Sequence, residues 1–134
     1  MATAHHSTTE LDRLVNACLM PGFTGATLPA WVADALADGL AGVCLYGQNL
    51  TGEGPPVAER VAAISAAARA VRSDVLVALD EEGGDVTRLE YTVGSSWPGN
   101  AALGVVDDEA VTFAVAAGIG AQLRRVGVDV DLAP

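Results

Sequence analysis

Four short strand-like runs alternate along this chain with segments of helical spacing, and that alternation leaves few folds open. The runs are Cys18 to Met20, Ala41 to Tyr46, Val75 to Leu79 and Val128 to Leu132. Strands separated by helices are expected to lie parallel, because a parallel pair needs a long crossover connection. The expected fold class is therefore α/β. A closed (β/α)8 barrel has eight strands over typically about 250 residues. About four βα units in 134 residues thus predict the N-terminal half of such a TIM-type barrel. The whole of 1–134 is expected to form that partial domain, with roughly 1–9 as a flexible N-terminus.

The intervening segments carry helix signals. Leu11, Leu14, Val15 and Cys18 recur at helical spacing after Thr8-Thr9-Glu10, which predicts a helix capped near the threonines and running into Ala17. Pro29 opens a second helix with Trp31, Val32, Ala35 and Leu36 as its apolar stripe, stopped at Gly39. Val57 to Val71 follows Pro55-Pro56 and repeats Val61, Ile64, Ala68 and Val71. The last helix starts at Asp107-Asp108-Glu109, where acidic groups suit its positive end, and reaches Val126 through Val111, Val115, Ile119 and Leu123.

Val75 to Leu89, VLVALDEEGGDVTRL, is where chemistry is expected. An apolar run of this kind suits a strand buried on both faces. In a barrel, Leu76, Ala78 and Asp80 would share the inward face. Asp80 then stands at the strand's carboxyl end, where α/β folds bind ligands. Gly83-Gly84 lets the backbone turn, and Arg88 is far enough along to fold back over the same opening. A carboxylate that accepts from vicinal hydroxyls, beside a planar guanidinium that donates in a fork, suits a polyhydroxylated ligand. Two other readings stay open on spacing alone: a surface ion pair, or a hard-cation site built from Asp80, Glu81, Glu82 and Asp85. Gln48 and Asn49 also follow a strand, and turn hydrogen bonds explain them as well as ligand contact does.

Composition removes several functions. The chain carries 17 Asp+Glu against seven Lys+Arg, all arginine, for a net charge of −10, which argues against nucleic-acid binding. No charged leader with a long apolar segment is seen in MATAHHSTTELDRL, so neither a secretory signal nor a membrane span is expected and a cytoplasmic protein is the default. Cys18 and Cys44 are isolated in apolar surroundings and are expected to be buried free thiols. His5-His6 lacks further ligands at metal spacing and is expected to belong to a frayed terminus. No metal or other cofactor is expected.

Several segments together resemble the N-terminal barrel domain of family 3 glycoside hydrolases, closest to the bacterial β-N-acetylglucosaminidase branch. They are MPGF (Met20 to Phe23), GVCLYGQN (Gly42 to Asn49), VLVALDEEGGDVTRL, WPGNAALG (Trp97 to Gly104) and VGVDVDLAP (Val126 to Pro134), in the family's order. The resemblance implies a hydrolase of O-glycosyl bonds with a carbohydrate substrate. It implies that Asp80 binds sugar hydroxyls in the nonreducing-end subsite and that Arg88 lines the same subsite. Trp97-Pro98 matches an aromatic-proline turn, read as architecture. Two departures stand out: Asp85 where the family often has Arg, and Gln48 where the branch often has Arg before the asparagine. The family's Lys-His clamp, catalytic loop and aspartate nucleophile lie downstream of the position matching Pro134, so no catalytic residue is assigned within the chain, which alone is expected to be inactive. β-Glucosides are the alternative substrate, and a non-catalytic carbohydrate-binding or interaction module is the reading from another class.

Overall fold

The computed structural model describes residues 9–52 and 54–133. Helices α1 (Glu10–Asn16) and α2 (Ala30–Ala37) precede strand β1 (Gly42–Cys44), which leads into the short α3 (Gly47–Leu50) and the long α4 (Val57–Val71). Strand β2 (Leu76–Leu79), helices α5 (Asn100–Val106) and α6 (Glu109–Arg125), and strand β3 (Val130–Asp131) complete the order. The strands form one parallel sheet ordered β1-β2-β3, with Val43 opposite Val77 and Ala78 opposite Val130. The molecule is thus an α/β fold around a small parallel sheet.

Pleating divides β2 into two faces. Val75, Val77 and Leu79 are fully shielded and share a core with Val43 and Leu45, Val32 and Leu36 of α2, Val61, Ile64 and Ala68 of α4, and Val115, Ile119 and Leu123 of α6. Burying such a side chain contributes roughly 1.5–3 kcal/mol, so these strand positions fix which face the helices cover. Leu76, on the opposite face, remains 40% exposed.

Three expected strands are present, each shorter than its apolar run. Flanking backbone bonds extend their pairing: the Leu45 amide donates to Ala78 O at 2.8 Å, Asp129 to Val77 O at 2.9 Å, and Leu132 to Leu79 O at 2.9 Å. Cys18 to Met20 is a correction, because it is not a strand. The amides of Cys18 and Leu19 turn back to the carbonyls of Val15 and Asn16, and Pro21 has no amide to offer a ladder. On either side of the segment, Asn16 O accepts from the Ala41 amide and Pro21 O from the Cys44 amide.

Helix α1 starts as expected at Thr9, whose hydroxyl accepts from the Asp12 amide while the Asp12 carboxylate accepts from the Thr9 amide, a capping box. Its apolar stripe is nevertheless exposed, as is Cys18; the expectation of two buried thiols holds for Cys44 alone, and both are free. Trp31, Val71 and Val111 also face solvent, leaving narrower stripes on α2, α4 and α6. Asp108 caps α6 by accepting from the amides of Ala110 and Val111. Helices α3 and α5 were not among the expected elements. His5-His6, Glu53 and Pro134 lie outside the described residues.

Trp97 packs on α6 through the missing side chain of Gly118, where an added Cβ would stand 2.2 Å from the indole. Its ring N–H donates to Gln122 at 2.8 Å. This fastens the loop after β2 to the helix preceding β3, in line with the architectural reading of Trp97-Pro98. No helix among the described residues is long and apolar enough to cross a membrane.

Candidate functional site

The site grows from the carboxyl end of β2. Asp80 follows the last strand residue, and the chain then doubles back: the Glu82 amide donates to Val86 O at 2.9 Å, and Gly83 bridges Val86. Gly83 and Gly84 adopt φ of 78° and 58°, conformations that disfavour a side chain. The Gly84 amide also donates to Trp97 O at 2.9 Å, which joins this hairpin to the Trp97 anchor.

The reversal brings together the two residues singled out from sequence. The Arg88 guanidinium donates through Nη2 to Asp80 Oδ2 at 2.7 Å, and the two side chains are 21% and 23% exposed. Each keeps some solvent contact while most of its surface is covered, unlike a freely solvated ion pair.

Glu81 does something the sequence did not disclose. It is 1% exposed, and its Oε2 accepts from the backbone amides of Arg88 at 2.8 Å and Leu89 at 3.0 Å. The Glu81 amide in turn donates to Asp131 Oδ1, at 2.9 Å, from the end of β3. Partial burial, then the charges of Glu81, Asp80 and Glu82, hold the Asp131 carboxyl above its ordinary value, opposed by the hydrogen bond from the Glu81 amide. Asp129 braces β2 in the same way lower down, accepting from Val77 N–H at 2.9 Å while paired with Arg69 at 2.7 Å.

Tyr46 was also missed as a neighbour of the pair. It lies two residues beyond Cys44 and so continues that strand's alternation, and extending the Cys44–Ala78 register by two places it opposite Asp80. Its ring rests on Gly22, where an added Cβ would meet it at 2.7 Å. The Cys44 thiol raises the Tyr46 phenol above its ordinary value; Asp80 adds to the rise and Arg88 opposes it. Counting alternate residues from Gly42 would have found it.

Gln48 and Asn49 turn away from such a role. Gln48 Nε2 donates to Phe23 O at 3.0 Å, and Asn49 Nδ2 to Phe23 O and Gly25 O, both at 2.9 Å. Asn49 Oδ1 accepts from the Tyr46 amide at 2.8 Å, so the pair closes a turn and anchors the segment before α2. Among the described residues no group of three or more His, Cys, Asp or Glu could hold a metal ion, and Glu81, one of four candidate ligands, spends its oxygen on amides. A cavity of about 190 Å³, lined by neither Asp80 nor Arg88, lies between Glu81, Glu82 and Asp131 on one side and Leu103, Val115 and Ile119 on the other.

The Asp80–Arg88 pair thus stands just beyond the carboxyl end of a parallel strand, the end at which α/β folds bind their ligands. No family model matches the chain. It is 35% identical over 123 residues to a beta-hexosaminidase of Xylella fastidiosa, covering 87% of this chain and 35% of that protein. It is 33% identical over 95 residues to a beta-hexosaminidase of Methylococcus capsulatus, covering 69% and 27%. Among solved structures, a glycoside hydrolase family 3 beta-N-acetylglucosaminidase from Paenibacillus sp. superposes with a TM-score of 0.79 at 30% identity, covering 94% of this chain and 24% of that one. A fungal multi-domain beta-N-acetylglucosaminidase of the same family gives 0.79 at 26% identity, covering 93% and 15%. The chain resembles the N-terminal domain of family 3 glycoside hydrolases. It spans 27% to 35% of the length of these curated relatives.

Proposed function

We propose that this chain is part of a retaining β-glycoside hydrolase acting on β-N-acetylglucosaminides such as cell-wall fragments, and that it contributes the first half of a (β/α)8 barrel. The observation that carries the reading is the Asp80–Arg88 pair, closed at 2.7 Å at the end of β2 in a chain similar to beta-hexosaminidases. Asp80 would accept from two sugar hydroxyls and Arg88 would donate to a third or hold Asp80 in place. These contacts orient the ring, and those that tighten as it flattens lower the barrier.

In the family the attacking aspartate and the acid/base histidine lie beyond the matched segment. Bond cleavage therefore belongs to the barrel as a whole: the aspartate forms a glycosyl-enzyme, and the histidine protonates the leaving oxygen and then activates water. We place this activity in the cytoplasm. β-Glucosides are the second substrate reading, supported by Gln48, which stands at a position often held by Arg in the N-acetylglucosaminidase branch and is bonded to Phe23 O.

The test is hydrolysis of para-nitrophenyl β-N-acetylglucosaminide and the matching β-glucoside by the protein that carries this chain. Two charge-assisted hydrogen bonds lost at Asp80 correspond to a fall in kcat/KM of about a hundredfold or more. Asp80→Ala should show that fall while remaining folded, read as a cooperative thermal melt. Near-native turnover in Asp80→Ala removes Asp80 from the site, and turnover of neither glycoside favours a non-catalytic module.

A further inference from the structure

We infer that Glu81 is the positioning residue that sets Arg88 against Asp80, acting through the backbone rather than by touching the sugar; this rests on the function proposed above. A carboxylate is costly to bury unless its oxygens are satisfied. The Glu81 carboxylate is nonetheless 1% exposed, and its hydrogen-bond donors are the adjacent amides of Arg88 and Leu89. One oxygen gathering two successive N–H groups pins the end of the loop to its beginning, seven residues away.

The consequence falls on Arg88. Its Nε is buried without a partner, and Nη2 reaches Asp80. The side chain therefore depends on where its own backbone is held, and Glu81 holds it. Asp80 directly follows β2, so the strand places it and the Glu81 carboxylate acts on the Arg88 arm alone. Asp131 in turn accepts from the Glu81 amide, which links the subsite to the end of β3.

The reading predicts non-additivity. Glu81→Ala should raise KM about tenfold, equivalent to about 1.4 kcal/mol of lost binding, with kcat changed less. Arg88→Ala should raise KM as well. Glu81→Ala combined with Arg88→Ala should then be no worse than Arg88→Ala alone, because the group that Glu81 positions is gone. A Glu81 that merely stabilised the fold would instead lower Tm and add its own effect to that of Arg88→Ala. The cycle is run on the protein that carries this chain, with para-nitrophenyl β-N-acetylglucosaminide. Where Glu81→Ala does not yield folded protein, Glu81→Asp, which withdraws the carboxylate by one methylene, replaces it in the same cycle. Non-additive KM effects support the inference and additive ones overturn it. An Arg88→Ala variant with unchanged KM refutes the proposed role of Arg88 itself, and the inference with it.

Discussion

Asp129→Ala should destabilise the fold by about 1–4 kcal/mol, with an orphaned strand amide supplying the larger share. The Asp129 carboxylate does two jobs: Oδ2 accepts from Val77 N–H at 2.9 Å, and the group pairs with Arg69 at 2.7 Å. Val77 lies in the middle of β2 and is fully buried, so its amide has poor access to water once the acceptor is gone. An unsatisfied buried donor costs about 1–3 kcal/mol. Arg69 and Asp129 are each about a third exposed, which limits their pairing to about 1 kcal/mol or less after solvent screening. Asp129→Asn separates the contributions, because its carbonyl oxygen still accepts from Val77 while the charge is lost. Urea unfolding should place the asparagine variant within about 1 kcal/mol of the parent and the alanine variant well below it, with a common m-value. If the two variants unfold at the same midpoint, the ion pair rather than the strand amide holds β3 to β2, and the reasoning fails.

Asp131→Asn should act in the opposite direction at neutral pH. The folded carboxyl titrates above its ordinary value of 3.8, so the folded state binds more protons through that interval. Its stabilising contribution is complete below the unfolded value and is lost as pH rises through the folded one. Removing the charge while keeping an acceptor for the Glu81 amide should therefore stabilise the protein relative to the parent above that window and not below it, read as Tm against pH; an equal shift at every pH refutes the assignment. Gly118→Ala should cost about 1–3 kcal/mol, since overpacking in a filled interior has that magnitude and the new methyl would meet the Trp97 ring. A reduced near-ultraviolet tryptophan signal should accompany it, and an unchanged melting curve would show that the loop yields freely.

What was legible in the sequence was local. Val57 to Val71 matches α4 residue for residue because Pro55-Pro56 fixes its start and its apolar spacing is helical. Val75 to Leu79 yields β2, Leu76–Leu79, because a run of β-formers too short for a buried helix and closed by a charge cluster suits a strand. The Asp80–Arg88 contact was legible because the Gly-Gly turn between them leaves the chain little choice but to return. Cys18 to Met20 looked equally strand-like, yet its amides were already committed to the turn after α1, and composition does not record that commitment.

Asp129 and Asp131 alternate with Val128, Val130 and Leu132, a period that leaves their partners open. Both aspartates reach sideways to amides of β2 and its loop, about fifty residues earlier, and no local pattern encodes so distant a partner. That long reach changes how the site must be understood. Asp131 holds the Glu81 amide, Glu81 holds the Arg88 backbone, and Arg88 closes on Asp80. Hydrogen bonds thus run without a break from the end of β3 to the paired arms at the end of β2. On the function proposed, a substitution that loosens β3 should raise KM for para-nitrophenyl β-N-acetylglucosaminide before it lowers Tm, although it lies away from the Asp80–Arg88 pair.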